Sequence, residues 1–287
     1  MKKTFAFLLL AVHLAILGFS QTSISRFSFK LSGGIGYLSV GELNSALKSV
    51  SDSIHGYNSH VSGRFENIHS GMNFNLEAVY LITDRLGIGL GGGFFRISKE
   101  DKVHTYYYSL AYTRTISCVP LILNVHYTYP LGSKLNLSLS GGVGYYLTSF
   151  EFKEDLISVT NTITGASDFK IKGTVGLKAS LGLEMALTKN LGVFVAATGW
   201  YATLSGFTGD LNIDYTNDNV STTEKRSDIR VWVFNSEHDG IKCPGIWIAK
   251  DGPKEGQIID GPFISNVHEL KIDLSGFSLG VGLRINF

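Results

Sequence analysis

The chain closes on SGFSLGVGLRINF, residues 275–287. Counting back by twos, Phe287, Ile285, Leu283, Val281, Leu279 and Phe277 are apolar. Between them stand Asn286, Arg284, Gly282, Gly280, Ser278 and Gly276, which are polar or nearly free of side chain. In a strand, residues two apart share a face. The closing stretch therefore reads as a two-faced ribbon with a large aromatic as its last residue.

The same period recurs through the chain. Phe27, Phe29, Leu31, Ile35 and Tyr37 alternate with Ser28, Lys30, Ser32, Gly34 and Gly36. Phe74, Leu76, Ala78 and Tyr80 alternate with Asn73, Asn75 and Glu77. Leu86, Ile88 and Leu90 stand against Gly87, Gly89 and Gly91, and Leu121, Leu123, Val125 and Tyr127 against Asn124, His126 and Thr128. Three further stretches, near 135–148, 169–187 and 191–202, repeat the pattern. With the closing ribbon this predicts eight strands. Their length suits a tilted crossing of a bilayer, for which about 9–11 residues suffice.

The connections alternate in length. Short ones fall at Thr83-Asp84-Arg85, Pro130-Leu131-Gly132-Ser133 and Thr188-Lys189-Asn190, and long ones near 41–71, 98–115, 149–168 and 205–268. LITDRLGIG and ALTKNLGVF look like two copies of one turn. A short–long rhythm is that of a transmembrane barrel, with tight turns at one rim and loops at the other. The physics agrees: within a bilayer every backbone polar group must pair inside the protein, and a closed sheet does so without an edge. The fold class expected is therefore all-β, an eight-stranded antiparallel transmembrane β-barrel with short periplasmic turns and long extracellular loops. IRVWVF (229–234) and GIWIA (245–249) also alternate, but lack a clean lipid face. They are read as a hairpin above the membrane, and the count stays at eight.

The beginning of the chain adds a location. Met1-Lys2-Lys3 precedes an apolar run, and Gly18 and Ser20 supply small residues before Gln21, the pattern of a cleaved secretory signal. The expected domains are a signal peptide over 1–20 and a barrel domain over 21–287. Without Lys2 and Lys3 the balance is 23 basic to 24 acidic residues, so no basic excess points to nucleic acid. Cys118 and Cys243 are the only cysteines, in a chain whose export permits oxidation. The sequence leaves both a disulfide between them and two free thiols open.

The signal MKKTFAFLLL, the hairpin LEAVYLITDRLGIGLGGGFF (76–95), the stretch VPLILNVHYTYPLGSKLNLSLSGGVGYY (119–146) and the end LGVGLRINF together resemble the small bacterial outer-membrane β-barrel superfamily of the OmpX/OmpW type. The resemblance implies a bacterial outer-membrane location. It also implies that Phe277, Leu279, Val281, Leu283, Ile285 and Phe287 form a C-terminal signal read by the barrel-assembly machinery. Outer-membrane lipid is then the standing partner, and an extracellular partner is unknown. The long loops exceed those of the simplest members.

If the alternation holds, Lys30, Glu77, His126, Lys178, Glu184 and Arg284 point inward. An eight-stranded interior has room only for side chains, and charges buried singly are costly. A paired network plugging the periplasmic half is expected, either as filling or as a gate in which His126 titrates. The inward glycines of GIGLGGG make room for bulky neighbours; alternation runs through them with no helix following, unlike a nucleotide fingerprint. In GELNSALKSVSDSIHGYN (41–58), Leu43, Ala46, Leu47, Val50 and Ile54 share a helical stripe, predicting a short amphipathic helix in the first loop. Tyr106, Tyr107, Tyr108, Tyr112, Tyr145 and Tyr146 are placed at the outer membrane interface. His238, Asp239 and Cys243 do not form a metal spacing, and no nucleophile sits in a catalytic context. No metal, cofactor or catalysis is expected. The function expected is structural or surface-interaction, with a narrow conduit for small apolar solutes as the alternative.

Overall fold

A computed structural model describes residues 26–57, 60–158, 161–171, 173–217, 220–238, 241–249, 251 and 263–287, with the backbone alone at 42, 46, 49–50, 53–54, 56–57, 217, 231–238, 241–249, 263–266 and 268. The expected signal peptide lies outside the described residues.

Among the described residues thirteen strands and one helix follow in the order β1 (Phe27–Ser39), α1 (Gly41–Tyr57), β2 (Ser70–Leu81), β3 (Leu86–His104), β4 (Tyr108–Pro130), β5 (Leu135–Ser158), β6 (Asn161–Lys170), β7 (Thr174–Ala186), β8 (Leu191–Leu204), β9 (Thr208–Asn217), β10 (Val220–His238), β11 (Ile241–Ala249), β12 (Phe263–Glu269) and β13 (Ile272–Asn286). Eight of them close a ring. Each of β1 to β4 pairs with the next, β4 pairs with β5, β5 with β7, β7 with β8, β8 with β13, and β13 returns to β1. All pairings are antiparallel, and the register Phe29↔Ile285, Leu31↔Leu283 and Ile35↔Leu279 sets apolar side chains on one face.

That face is the outer one. Ile35, Leu90 and Val175 are 70%, 68% and 70% exposed, among a band of Leu, Val, Ile, Phe and Tyr on all eight strands. A water-soluble surface would not carry so large an apolar belt; hydrocarbon is the solvent that suits it. Phe27, Phe29 and Phe287 cluster at the short-turn rim with ring centroids 5.0, 5.7 and 6.5 Å apart. The last aromatic thus anchors the seam where β13 meets β1.

The three short turns are built alike. Ile82 and Thr83 donate to the Leu86 carbonyl, Leu131 and Gly132 to that of Leu135, and Leu187 and Thr188 to that of Leu191. Thr83 and Thr188 each accept, on Oγ1, the amides two and three residues on. The matched sequences LITDRL and ALTKNL therefore do encode one turn, fixed by a local hydroxyl bond.

The other rim departs from the expectation of long loops. The segments 98–115 and 149–168 are mostly strand: β3 and β4 run on as a hairpin to Thr105, and β5 rises past the point where it leaves β7 to pair with β6. β6 then pairs with β9 and β9 with β10, and β10 carries both β11 and β12. IRVWVF and GIWIA lie in β10 and β11, paired with each other outside the ring. The inner face of this raised sheet is a hydrophobic core of Phe150, Phe169, Phe207, Ile116, Leu204 and Ile272.

Helix α1 forms as its stripe predicts and roofs the barrel. Leu43 and Leu47 are buried in the same core as Leu38 and Ile68. The Asn44 amide donates to the Ile68 carbonyl at 3.3 Å, and its Oδ1 accepts the Ile68 amide at 3.0 Å. The stripe includes Ser51, whose hydroxyl accepts the Phe65 amide; the side chains of Ala46, Val50 and Ile54 lie outside the described residues.

Candidate functional site

The lumen is filled in layers. Nearest the turn rim, Glu184 on β7 reaches across the ring to Lys30 on β1, 3.3 Å away, and to Arg284 on β13, 2.7 Å away. Lys30 and Arg284 are direct cross-strand neighbours, so the carboxylate between them offsets a like-charge contact. The Lys30 ammonium also lies 5.5 Å from the centroid of the inward Phe194 ring, a cation–π distance.

A second group stands beside it. Glu77 on β2 accepts Asn124 Nδ2 at 2.6 Å and lies 2.8 Å from His126 Nε2. Both partners are on β4, so the contact crosses over β3. It is open because β3 presents glycine there: a Cβ on Gly89 would lie 2.5 Å from Glu77 Oε1 and 2.7 Å from His126 Nε2. The glycines of GIGLGGG thus let the flanking strands' side chains meet above a bare backbone.

Further up, Ser180 and Thr198 share a 2.5 Å hydrogen bond. Lys178 borders two small chambers. The lower, of about 70 Å³, is walled by Ser32, Asn75, Ser138 and Ser140 as well as the charged residues. The upper, of about 50 Å³, is walled by Phe95, Pro120, Ile122, Tyr146, Trp200 and Leu274. Trp200 and Phe95 meet edge to face at 5.6 Å. A Cβ on Gly36 would come within 3.0 Å of Trp200 and 3.1 Å of Phe95. Each chamber has room for a few water molecules, a water needing roughly 10–15 Å³ of free volume. Above them the barrel is closed by the core under α1.

All six charged residues expected inside are inside, but as two groups and an outlier rather than one network. Lys30, Glu184 and Arg284 form one, Glu77 and His126 the other, and Lys178 stands a layer higher. Asn124, Phe194 and Trp200 are equally part of the plug. They sit at inward positions of the same alternation, and their apolar or neutral character hid them.

Of the two thiol alternatives left open, Cys118 is a free, buried thiol that accepts a 3.4 Å hydrogen bond from Thr148 Oγ1, and the side chain of Cys243 lies outside the described residues. The placement of the tyrosines is corrected. Of the six tyrosines, Tyr145 alone sits outward at the edge of the lipid band. Tyr146 is buried in the lumen wall, and Tyr112 packs on Phe65 and Phe152 in the raised core. Tyr106 and Tyr107 cap the β3–β4 hairpin, 82% and 66% exposed. That tip is roughly 40 Å along the strand beyond Phe94, at about 3.3 Å per residue. The raised core also holds a fully buried Arg114 paired with Asp101 and donating to the Glu66 carbonyl at 3.2 Å; burial pulls its guanidinium down to about 10. Among the described residues there is no group of three or more His, Cys, Asp and Glu that could hold a metal ion.

No family model matches the chain, and no curated protein matches it. Solved structures do. Neisserial surface protein A is 13% identical over 93% of this chain and 100% of its own, with a TM-score of 0.39. The outer membrane protein OprG from Pseudomonas aeruginosa is 14% identical over 92% and 97%, at 0.41. The outer membrane protease OmpT from Escherichia coli is 11% identical over 93% and 99%, also at 0.41. At these identities the likeness concerns fold and carries no function across. The pairing of the chain's own strands settles the fold: it is a small eight-stranded antiparallel transmembrane β-barrel.

Proposed function

We propose that this protein is a closed bacterial outer-membrane barrel that works by holding a rigid β-sheet platform outside the cell. The observation that carries the reading is the contrast between its two ends. The lumen is blocked at both ends, by ion groups below and by a hydrophobic core beneath α1 above, with two small chambers between them. Meanwhile β3, β4 and β5 run far beyond the lipid belt and support β6, β9 and β10. In this reading the short turns face the periplasm, and the outward apolar row from Phe277 to Phe287 is what the assembly machinery engages. The platform meets a surface partner, and no catalysis is assigned.

The reading is tested by reconstitution. The barrel in planar bilayers should give no steady nanosiemens steps, and in proteoliposomes it should not speed entry of a small hydrocarbon. A stable conductance of that size would refute the plug. Accelerated hydrocarbon entry would favour the second reading, a narrow conduit for apolar solutes. One observation speaks for that alternative: the apolar upper chamber lies at the level where β5 parts from β7 in the wall, near Tyr146 and Thr174.

A further inference from the structure

Lys178 is not part of either ion group. Glu184 is shared between Lys30 and Arg284, and Glu77 is held by His126 and Asn124. Among the described residues no carboxylate lies within ion-pair distance of the Lys178 ammonium, although Glu77 shares its chamber and attracts it at longer range. The lower chamber and its immediate partners carry three cations, Lys30, Lys178 and Arg284, against two carboxylates, Glu77 and Glu184, before His126 is counted at all. At least one positive charge is therefore in excess within the thickness of the bilayer, where an uncompensated charge is costly.

The remaining wall supplies what a negative ion needs. Ser32, Ser138, Ser140, Ser180 and Thr198 bring hydroxyls, and Asn75 an amide, into the same space. Hydroxyl hydrogens rotate to suit an acceptor, and the amide carries two donors. Both carboxylates are engaged by donors of their own. At about 70 Å³ the chamber takes one small ion and a water or two.

We propose that this chamber binds a monovalent inorganic anion of the halide class, held by the Lys178 ammonium, assisted by Lys30 and the Ser and Thr hydroxyls. The bound ion completes the charge balance of the plug. Neither the surface role nor a conduit is required for it.

The test uses the whole protein, refolded in detergent, with chloride exchanged for bromide. A bromide anomalous peak is expected in the chamber beside Lys178 Nζ. In solution the chloride NMR line should broaden with the barrel and sharpen again as bromide displaces it. Lys178→Met should abolish both signals, and Lys178→Arg should keep them. Ordered waters alone in the chamber, or a peak unchanged in Lys178→Met, would overturn the assignment. Should Lys178→Met not fold, as judged by heat-modifiable migration, Ser180→Ala with Thr198→Val removes two donors and leaves the charge. That variant should weaken chloride broadening severalfold, and unaltered broadening would refute the donor set.

Discussion

Strand β3 is two surfaces end to end. From Leu86 to Phe94 its outward residues are Leu86, Ile88, Leu90 and Phe94, and its inward ones Gly87, Gly89, Gly91 and Gly93. From Phe95 to His104 the outward residues are Arg96, Ser98, Glu100, Lys102 and His104, while Phe95, Ile97 and Val103 turn inward and are buried. The period of two never breaks, yet its polarity inverts within one peptide. β5 does the same past Leu147, where Glu151 and Lys153 take the outward side and Phe150 the inward. The backbone is blind to which solvent surrounds it; the side chains record where hydrocarbon stops and water begins.

The inversion is sharpened most by removing charge from the lumen. Glu184→Gln keeps the shape but leaves Lys30 and Arg284 side by side without a counter-charge. Breaking a buried pair this way costs about 3–5 kcal/mol, read as a lower urea midpoint for unfolding in detergent. No change would mean that the lower lumen is as wet as the upper sheet's outer face.

Next comes a matched pair on β3. Leu90→Arg sets a cation in the middle of the lipid belt and should cost about 2–4 kcal/mol. His104→Arg, an exposed outward residue farther along the same strand, should stay within about 0.5 kcal/mol of the parent. Equal costs would erase the boundary placed at Phe94. A smaller effect is expected inside: Gly36→Ala pushes a methyl against Trp200 and Phe95, and overpacking of that kind costs about 1–3 kcal/mol.

The belt was legible in the sequence because lipid imposes a stringent rule. Every outward residue must be apolar, so eight alternating runs stood out, and the inward charges Lys30, Glu77, His126, Lys178, Glu184 and Arg284 followed from parity alone. Their pairing did not. Glu184 meets Lys30 across the lumen rather than along a ladder, and Glu77 meets His126 only because β3 is bare between them. The raised sheet was read as loops for a related reason. Once the outward face becomes polar, as at Arg96-Ser98-Glu100, the lipid criterion fails although the strand continues. Buried partners such as Arg114 and Asp101 then vanish into an apparent loop.

Glu154 offers the finest test of the same boundary. It lies on β5 beyond the belt, half-buried on the inner side of the raised sheet, and accepts the Tyr112 hydroxyl at 3.0 Å. Burial raises its pKa above the ordinary carboxylate value, Asp155 adds to the rise, and the Tyr112 bond only partly opposes it. A carboxyl with a raised folded-state pKa favours the fold while it is protonated. That contribution is fully present below the unfolded value of 4.5 and fades as pH climbs through the raised folded value. The parent should therefore lose stability on going from acid toward neutral pH through this group, while Glu154→Gln should not. Thermal unfolding of both proteins across that interval, compared as a difference, isolates the effect from other titrating groups. A difference that is flat with pH would mean that water reaches Glu154, and that the raised sheet's inner face is not the dry interior its aromatic packing implies.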